Sequence, residues 1–278
     1  MNTGLHFKIL QRQLKFRNPN NWLDLPEHFV FHRDEYLSAL DYLESLNKHG
    51  IQWTFPGDIN YPKQFLRMKE PPLFFEFIGV PFWKDMSCLA VVGARKIHQL
   101  TENWMLYHLS DYLEKQPVCI VSGGAFGVDQ LAHKISLKKS VPTIAIVPSG
   151  LVDIYPQSLK KELNAMNAEL VCYLSEFEIH HKLNKSHFYF RNRLISALGD
   201  MVLVIQADTK SGSFLTVHHA LENGKPVLTL PAHPELLGFS GNIKLLQDGA
   251  ALISSSLDLL QIWKAENSAQ QLFLMGGP

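Results

Sequence analysis

The chain has 278 residues, and its 26 Lys+Arg offset 26 Asp+Glu, for a formal net charge of zero. With 46% hydrophobic and 19% charged residues, its composition excludes a wholly disordered chain, a coiled coil and a collagen-like fibre. Neutrality argues against bulk electrostatic coating of nucleic acid, but it leaves room for a local basic groove.

The opening MNTGLHFKILQRQLKFRNPNNW carries charges inside every apolar run and no small-residue cleavage site, so no signal peptide is expected. No apolar run reaches the roughly 18 residues of a membrane span. Three widely spaced cysteines, Cys88, Cys119 and Cys172, form no CxxC pair and read as buried, reduced thiols of a cytoplasmic protein. Residues 1–85 are rich in aromatics and proline. Tyr36, Leu37, Leu40, Leu43 and Leu46 recur at helical spacing after Asp34, predicting a helix over Asp34–His49. Beyond it, Pro56, Pro62, Pro71, Pro72 and Pro81 break any long element. We read residues 1–55 as a small helical region that packs on a main domain over 56–266, followed by a tail over 267–278 with no winged helix.

From Met86 the pattern changes to short β-branched runs: Leu89–Val92, Cys119–Ser122, Thr143–Val147, Leu170–Leu174, Met201–Gln206, Val227–Leu230 and Ala250–Ile253. Between them lie candidate helices near Thr101–Lys115, Val128–Lys138, Ser158–Asn167, Phe188–Ala197, Ser213–Glu222, Asn242–Gln247 and Ser255–Trp263. Near-continuous apolar strands alternating with helices predict an α/β, Rossmann-like doubly wound, mostly parallel sheet. Ligands of such a sheet bind beyond the carboxyl ends of the strands, where strand order reverses.

The strand ends are where the polar chemistry lies. One strand ends in Gly93-Ala94-Arg95-Lys96 and the next in Ser122-Gly123-Gly124-Ala125-Phe126-Gly127; later come Ser211-Gly212-Ser213 with Thr216, and Pro231-Ala232-His233-Pro234. Glycine loops that open helices can offer free backbone N–H groups to an anion. Neither the G-x-G-x-x-G order nor a G-x-x-x-x-G-K-[ST] motif is present, which argues against dinucleotide binding and against a P-loop. The segment NKSHFYFRNRLISALG sets Lys185, Arg191 and Arg193 among His187, Phe188, Tyr189 and Phe190. Cations for phosphates beside rings for unpaired bases suit a single strand better than a duplex. Arg191 and Arg193 lie two residues apart and so point to different faces, which leaves a structural role open for either.

In order and spacing, the runs VVGAR, SGGAFGVDQLAH, GLVDIYP, FYFRNRLISALGDMVLVIQA, SGSFLTVHHALENGKPV and GNIKLLQDGA resemble the DprA/Smf family of DNA-processing proteins of natural transformation. The resemblance covers roughly residues 56–253. It implies a non-enzymatic, homodimeric protein that binds and protects single-stranded DNA and helps load the RecA recombinase. By the same resemblance, Arg95 and Lys185 should meet phosphate, Phe188 should stack on a base, and Ser122, Gly123 and Gly124 should line the pocket. Ser211, Gly212, Ser213 and Thr216 should form a second phosphate-facing loop, with Asn192 bracing it or bonding phosphate. The family's Gly-Ser-Arg is Gly93-Ala94-Arg95 here, its Glu-Ala is Gln206-Ala207, and its Pro-Gly is Pro231-Ala232.

No cofactor is expected. The 13 histidines show no metal-ligand spacing, so no metal site is expected. Asp129 and His133 are read as a local hydrogen-bonded pair that holds the SGGAFG loop. A rival of another class is a nucleotide-processing enzyme of the lysine-decarboxylase-like (LOG) group, or a nucleotide sensor on the same sheet. The LOG pattern needs a carboxylate three residues after Thr216, where this chain has His219, and Glu222 is read as off that helix face. Leu236, Leu237, Phe239 and Leu245 are candidates for a dimer surface or for the core.

Overall fold

The computed structural model describes residues 3–14, 32–181 and 183–275, with side chains through Glu266 and at Ser268. Parts of the leading region (1–2 and 15–31) and the last residues of the tail (276–278) lie outside the described residues.

Except at the edge run Ala250–Ile253, the apolar runs become strands because both of their faces are buried. In chain order the strands are β1 (Gln52–Thr54), β2 (Phe75–Ile78), β3 (Cys88–Val92), β4 (Cys119–Ser122), β5 (Thr143–Ile146), β6 (Val171–Ser175), β7 (Met201–Val204), β8 (Val227–Thr229) and β9 (Ala251–Leu252). They form one sheet in the order β1-β2-β6-β5-β4-β3-β7-β8-β9. The seven strands from β6 to β9 pair in parallel, which is the expected doubly wound sheet. To β6 is added an antiparallel pair, β2 and β1, that the proline-rich sequence conceals. This pair spans residue 55, so the leading region and the main sheet are continuous there.

The helices are α1 (Thr3–Gln13), α2 (Arg33–Lys48), α3 (Gln99–Trp104), α4 (Ser110–Lys115), α5 (Val128–Lys138), α6 (Gln157–Asn167), α7 (Lys185–Leu198), α8 (Ser213–Glu222), α9 (Ser240–Gln247) and α10 (Ser256–Met275). A π-helical turn over Met105–Leu109 joins α3 to α4. The last helix runs on through residue 267, where the apolar pattern fades. Leu194, Ile195 and Leu198 of α7, Val217 of α8 and Leu245 of α9 pack on one face of the sheet, against Ala90, Val92, Val121 and Val202. The other face is covered by two sets of helices. Leu109, Leu113, Ile135 and Trp263 lie over Leu89, Val91 and Ile120, while α1, α2 and α6 lie over Ala145 and Tyr173. Leu245 and Phe239, offered above for a dimer surface, are thereby core residues, each 4% exposed, while Leu237 is 89% exposed. The three cysteines are buried and free. Among the described residues no helix is long and apolar enough to cross a membrane, and no group of three His, Cys, Asp or Glu is placed to hold a metal.

Along β2, Phe75 and Phe77 face one side and Glu76 the other. Strand alternation thus drives a carboxylate into the seam beneath α1, where it meets Lys8. The Lys8 ammonium is fully buried. It donates to Gln11 Oε1 at 3.0 Å and lies 3.7 Å from Glu76 and 3.3 Å from Glu178. It also sits over the rings of Tyr42 and Phe74, at 4.3 and 4.7 Å from their centroids. The Tyr42 hydroxyl donates to Glu76.

Candidate functional site

Strand order reverses at β3, whose chain neighbours lie on one side and β7 on the other. A crevice of about 460 Å³ opens there, at the carboxyl ends of β3 and β7. Its walls are the Gly93–Arg95 turn, the first turns of α8, and the Phe188-Arg191-Asn192 face of α7.

Phe188 is the crevice's aromatic platform. Its half-buried ring has the Arg95 guanidinium 5.4 Å and the Arg191 guanidinium 5.9 Å from its centroid, and Tyr155 meets it edge-on at 6.1 Å. Arg95 is exposed and has no ion pair among the described residues. Arg191 is 5% exposed, with Nη1 3.8 Å from Asp129 and a buried Nε that has no hydrogen-bond partner. Burial pulls its pKa down to about 10 against the pull of Asp129, and the nearby Arg95 charge lowers it further. Arg191 therefore has one loosely held carboxylate and a second cation nearby, beside an open crevice, an arrangement that an incoming anion would relieve. Arg191 can lie there because residue 123 is glycine, where a Cβ would come within 1.2 Å of its Nη1.

The glycine loops act differently from the sequence expectation. Several of their N–H groups are taken internally. Those of Gly123 and Ala125 donate to Asp129 Oδ2 at 3.2 and 3.4 Å. Those of Ser213, Phe214 and Leu215 donate to Ser211 Oγ, Ser211 O and Gly212 O. These five donors are not free for an anion, which shifts anion affinity here toward the side chains. Burial raises the Asp129 carboxyl, opposed by Arg191 and by the two N–H groups.

Several expected residues are placed elsewhere by packing. Ser122 is fully buried and donates to Val91 O at 2.6 Å, which ties β4 to β3 instead of lining the crevice. A Cβ at Gly124 would meet Leu159, and its φ of +68° suits glycine. Its carbonyl accepts from Gln130. Arg193 points away from Arg191, as their spacing implies. It donates to Glu70 O at 3.0 Å and pairs with buried Glu176, so it anchors α7 rather than facing the crevice. His133 does not bond Asp129. Its Nδ1 lies 2.6 Å from the Thr143 hydroxyl on β5, and burial with the Arg191 charge pushes its pKa down to about 3. Glu222 does reach the His219 face, with Oε2 3.0 Å from His219 Nδ1.

Ser211, Gly212, Ser213 and Thr216 do line the crevice, and Asn192 Nδ2 donates to Gly212 O at 3.2 Å. Lys185 is exposed on the first turn of α7, outside the crevice lining. Sequence reasoning missed Asp208 and Lys210, which also line it. Their signal was position: both lie between β7 and the SGS loop. Asp208 Oδ1 accepts from the Ser240 hydroxyl at 2.9 Å, which leaves Lys210 as a second exposed cation at the crevice beside Arg95.

The family described as DNA recombination-mediator protein A matches residues 52–264. The DNA processing protein DprA of Bacillus subtilis is 37% identical over 225 residues, covering 79% of this chain and 73% of its own length. The Smf protein of Escherichia coli is 32% identical over 256 residues, covering 91% of this chain and 65% of its own. The chain spans 57% of the Synechocystis Smf protein, to which it is 31% identical. Among solved structures, DprA of Streptococcus pneumoniae superposes with a TM-score of 0.72 at 25% identity, covering 94% of this chain and 93% of that one. DprA of Helicobacter pylori, described for its single-stranded DNA binding mode, gives a TM-score of 0.67 at 32% identity, covering 77% and 97%. The match over most of the chain makes this chain a member of the DNA recombination-mediator protein A (DprA/Smf) family.

Proposed function

We propose that this chain binds single-stranded DNA across the β3/β7 crevice and presents it to the RecA recombinase. One observation carries the reading: an accessible aromatic ring flanked by two arginines, one of them exposed and the other buried with an unpartnered Nε, at the mouth of a crevice. A base stacks on Phe188 while its neighbouring phosphates meet Arg95, Arg191 and Lys210, with Lys185 guiding the strand past the start of α7. Such a site reads no base edges and so takes single strands of any sequence. Homodimerisation belongs to the same proposal. Leu237 is an exposed apolar candidate for that surface, and β9, with Leu252 52% exposed, is an edge strand able to take part.

The test is fluorescence anisotropy with a labelled oligothymidylate and its duplex. Wild type should prefer the single strand, and Phe188→Ala should lose about 1–3 kcal/mol of binding. If wild type ignores single strands at low salt, the reading fails. The crevice should then be screened with nucleoside monophosphates for binding and hydrolysis, the nucleotide-processing alternative.

A further inference from the structure

On the far side of α7 from Phe188 lies a second cavity, of about 480 Å³, walled by Ser186, His187 and Phe190 of α7, Phe177 and His181 from the loop after β6, and Arg12 of α1. It matches the first crevice in size and shares with it only the first turns of α7. Helical spacing explains the split: residues 188, 191 and 192 share one face, and 186 and 190 the opposite one. We infer that this cavity is a second base-stacking subsite for the same strand, which crosses over the first turn of α7 at Lys185 and Ser186. The inference rests on the single-strand reading above and adds to it a path and a second contact.

The walls have the chemistry of a single-strand track. Phe190 is half-buried and leaves part of its ring accessible. The buried Phe177 ring stacks on buried His187 at 4.0 Å and on exposed His181 at 5.8 Å, so a preformed stack backs the His181 ring, the member open to a base. Arg12 also lines the cavity, together with Glu178, which holds it at 2.6 Å, and lies over the Tyr42 ring at 5.0 Å. Between the two cavities the crossing is favourable to phosphate. The first turn of the 14-residue helix α7 carries no acidic residue, and Lys185 is exposed upon it with no ion pair among the described residues. A strand leaving the Phe188 platform thus meets a cation, a helix start and then rings, in that order. The continuity of the two cavities along one helix favours a nucleic acid strand over a protein segment as occupant.

The test uses the whole chain with two probes, a deoxythymidine tetranucleotide and an oligothymidylate of about 16 nucleotides. Phe190→Ala should weaken the long probe about tenfold and leave the tetranucleotide unchanged, whereas Phe188→Ala should weaken both. Ser186→Glu gives a second variant whose fold is secure, because a carboxylate on the first turn favours the helix. It should penalise the long probe more than the short one. In parallel, a 5-iodouracil-substituted long strand should photocross-link to residues of 177–190 on both faces of α7, with the Phe190 adduct lost in Phe190→Ala. If wild type binds the long probe but all adducts fall on the Phe188 side and both variants bind as wild type does, the second subsite is wrong and the single-strand reading stands. If wild type binds neither probe, the underlying reading fails as well.

Discussion

Of the buried cations under this sheet's helices, Lys8 and Arg191 are held in opposite ways. Lys8, beneath the leading helices, is enclosed: an amide oxygen, two carboxylates and two aromatic faces surround it. Arg191, at the strand ends, has one carboxylate at 3.8 Å, a second arginine nearby and an unpartnered Nε. A buried charge that is enclosed by its partners is a structural element, and one loosely paired beside an open crevice is poised for a ligand. What separates the two seams is enclosure: Lys8, with Arg12 beside it, meets Glu76 and Glu178 beneath the leading helices, whereas Arg191 meets Asp129 alone beside the crevice.

Several substitutions would break or sharpen this contrast. Lys8→Met should have the largest effect on folding. It leaves Glu76 buried without its cation, while half-buried Glu178 keeps Arg12, and should cost about 3–5 kcal/mol in urea unfolding, with DNA affinity of the folded protein unchanged. Arg191→Met should do the converse, lowering single-strand affinity at least tenfold in anisotropy while costing about 1–2 kcal/mol of stability, since Asp129 keeps its two N–H donors. Equal losses in both assays for both variants would erase the distinction.

A smaller effect lies in the pH dependence of the Lys8 seam. Burial outweighs Lys8 and raises the Glu76 carboxyl from 4.5 to about 7. The native state therefore keeps a proton that the unfolded state releases. This group's contribution is fully present below about pH 4.5 and is lost as pH rises to about 7. Histidines held neutral, such as His133, act with the opposite sign, so the informative quantity is a difference. Between pH 5 and 7.5, wild type should lose roughly 1–2 kcal/mol relative to Glu76→Gln, read from urea midpoints at each pH. The smallest expected effect is in the salt series. Arg95→Ala and Lys185→Ala should each reduce the slope of log affinity against log salt by about 1, and Arg193→Ala should leave it unchanged. A slope change for Arg193→Ala would mean that Arg193, too, reaches the strand.

The parallel half of the fold is legible in the amino acids because strands buried on both faces read as unbroken apolar runs. Every strand from Cys88 onward lies on such a run. The leading half is not legible in the same way. β2 pairs with β6, about a hundred residues away, and buries Glu76 opposite a lysine that composition would place in solvent. At the site, residue types suffice to find Arg95, Phe188 and the SGS loop, since cations and rings in polar loops have few structural uses. The fate of the backbone donors is invisible at that level. Only the fold brings Asp129 beneath Gly123 and Ala125, and only the helix direction turns Arg193 toward Glu176 and away from the crevice.

The helix that carries Phe188 and Arg191 is also the one whose later turns, Leu194, Ile195 and Leu198, are embedded in the main core. The stacking platform and the core are therefore one rigid body, with Arg193 as a lateral strut to Glu176. A strand drawn taut by the machinery acting on its far end would pull on that body rather than on a yielding loop. Its grip under load would be set by the mechanical strength of the domain as much as by the chemistry of the contact.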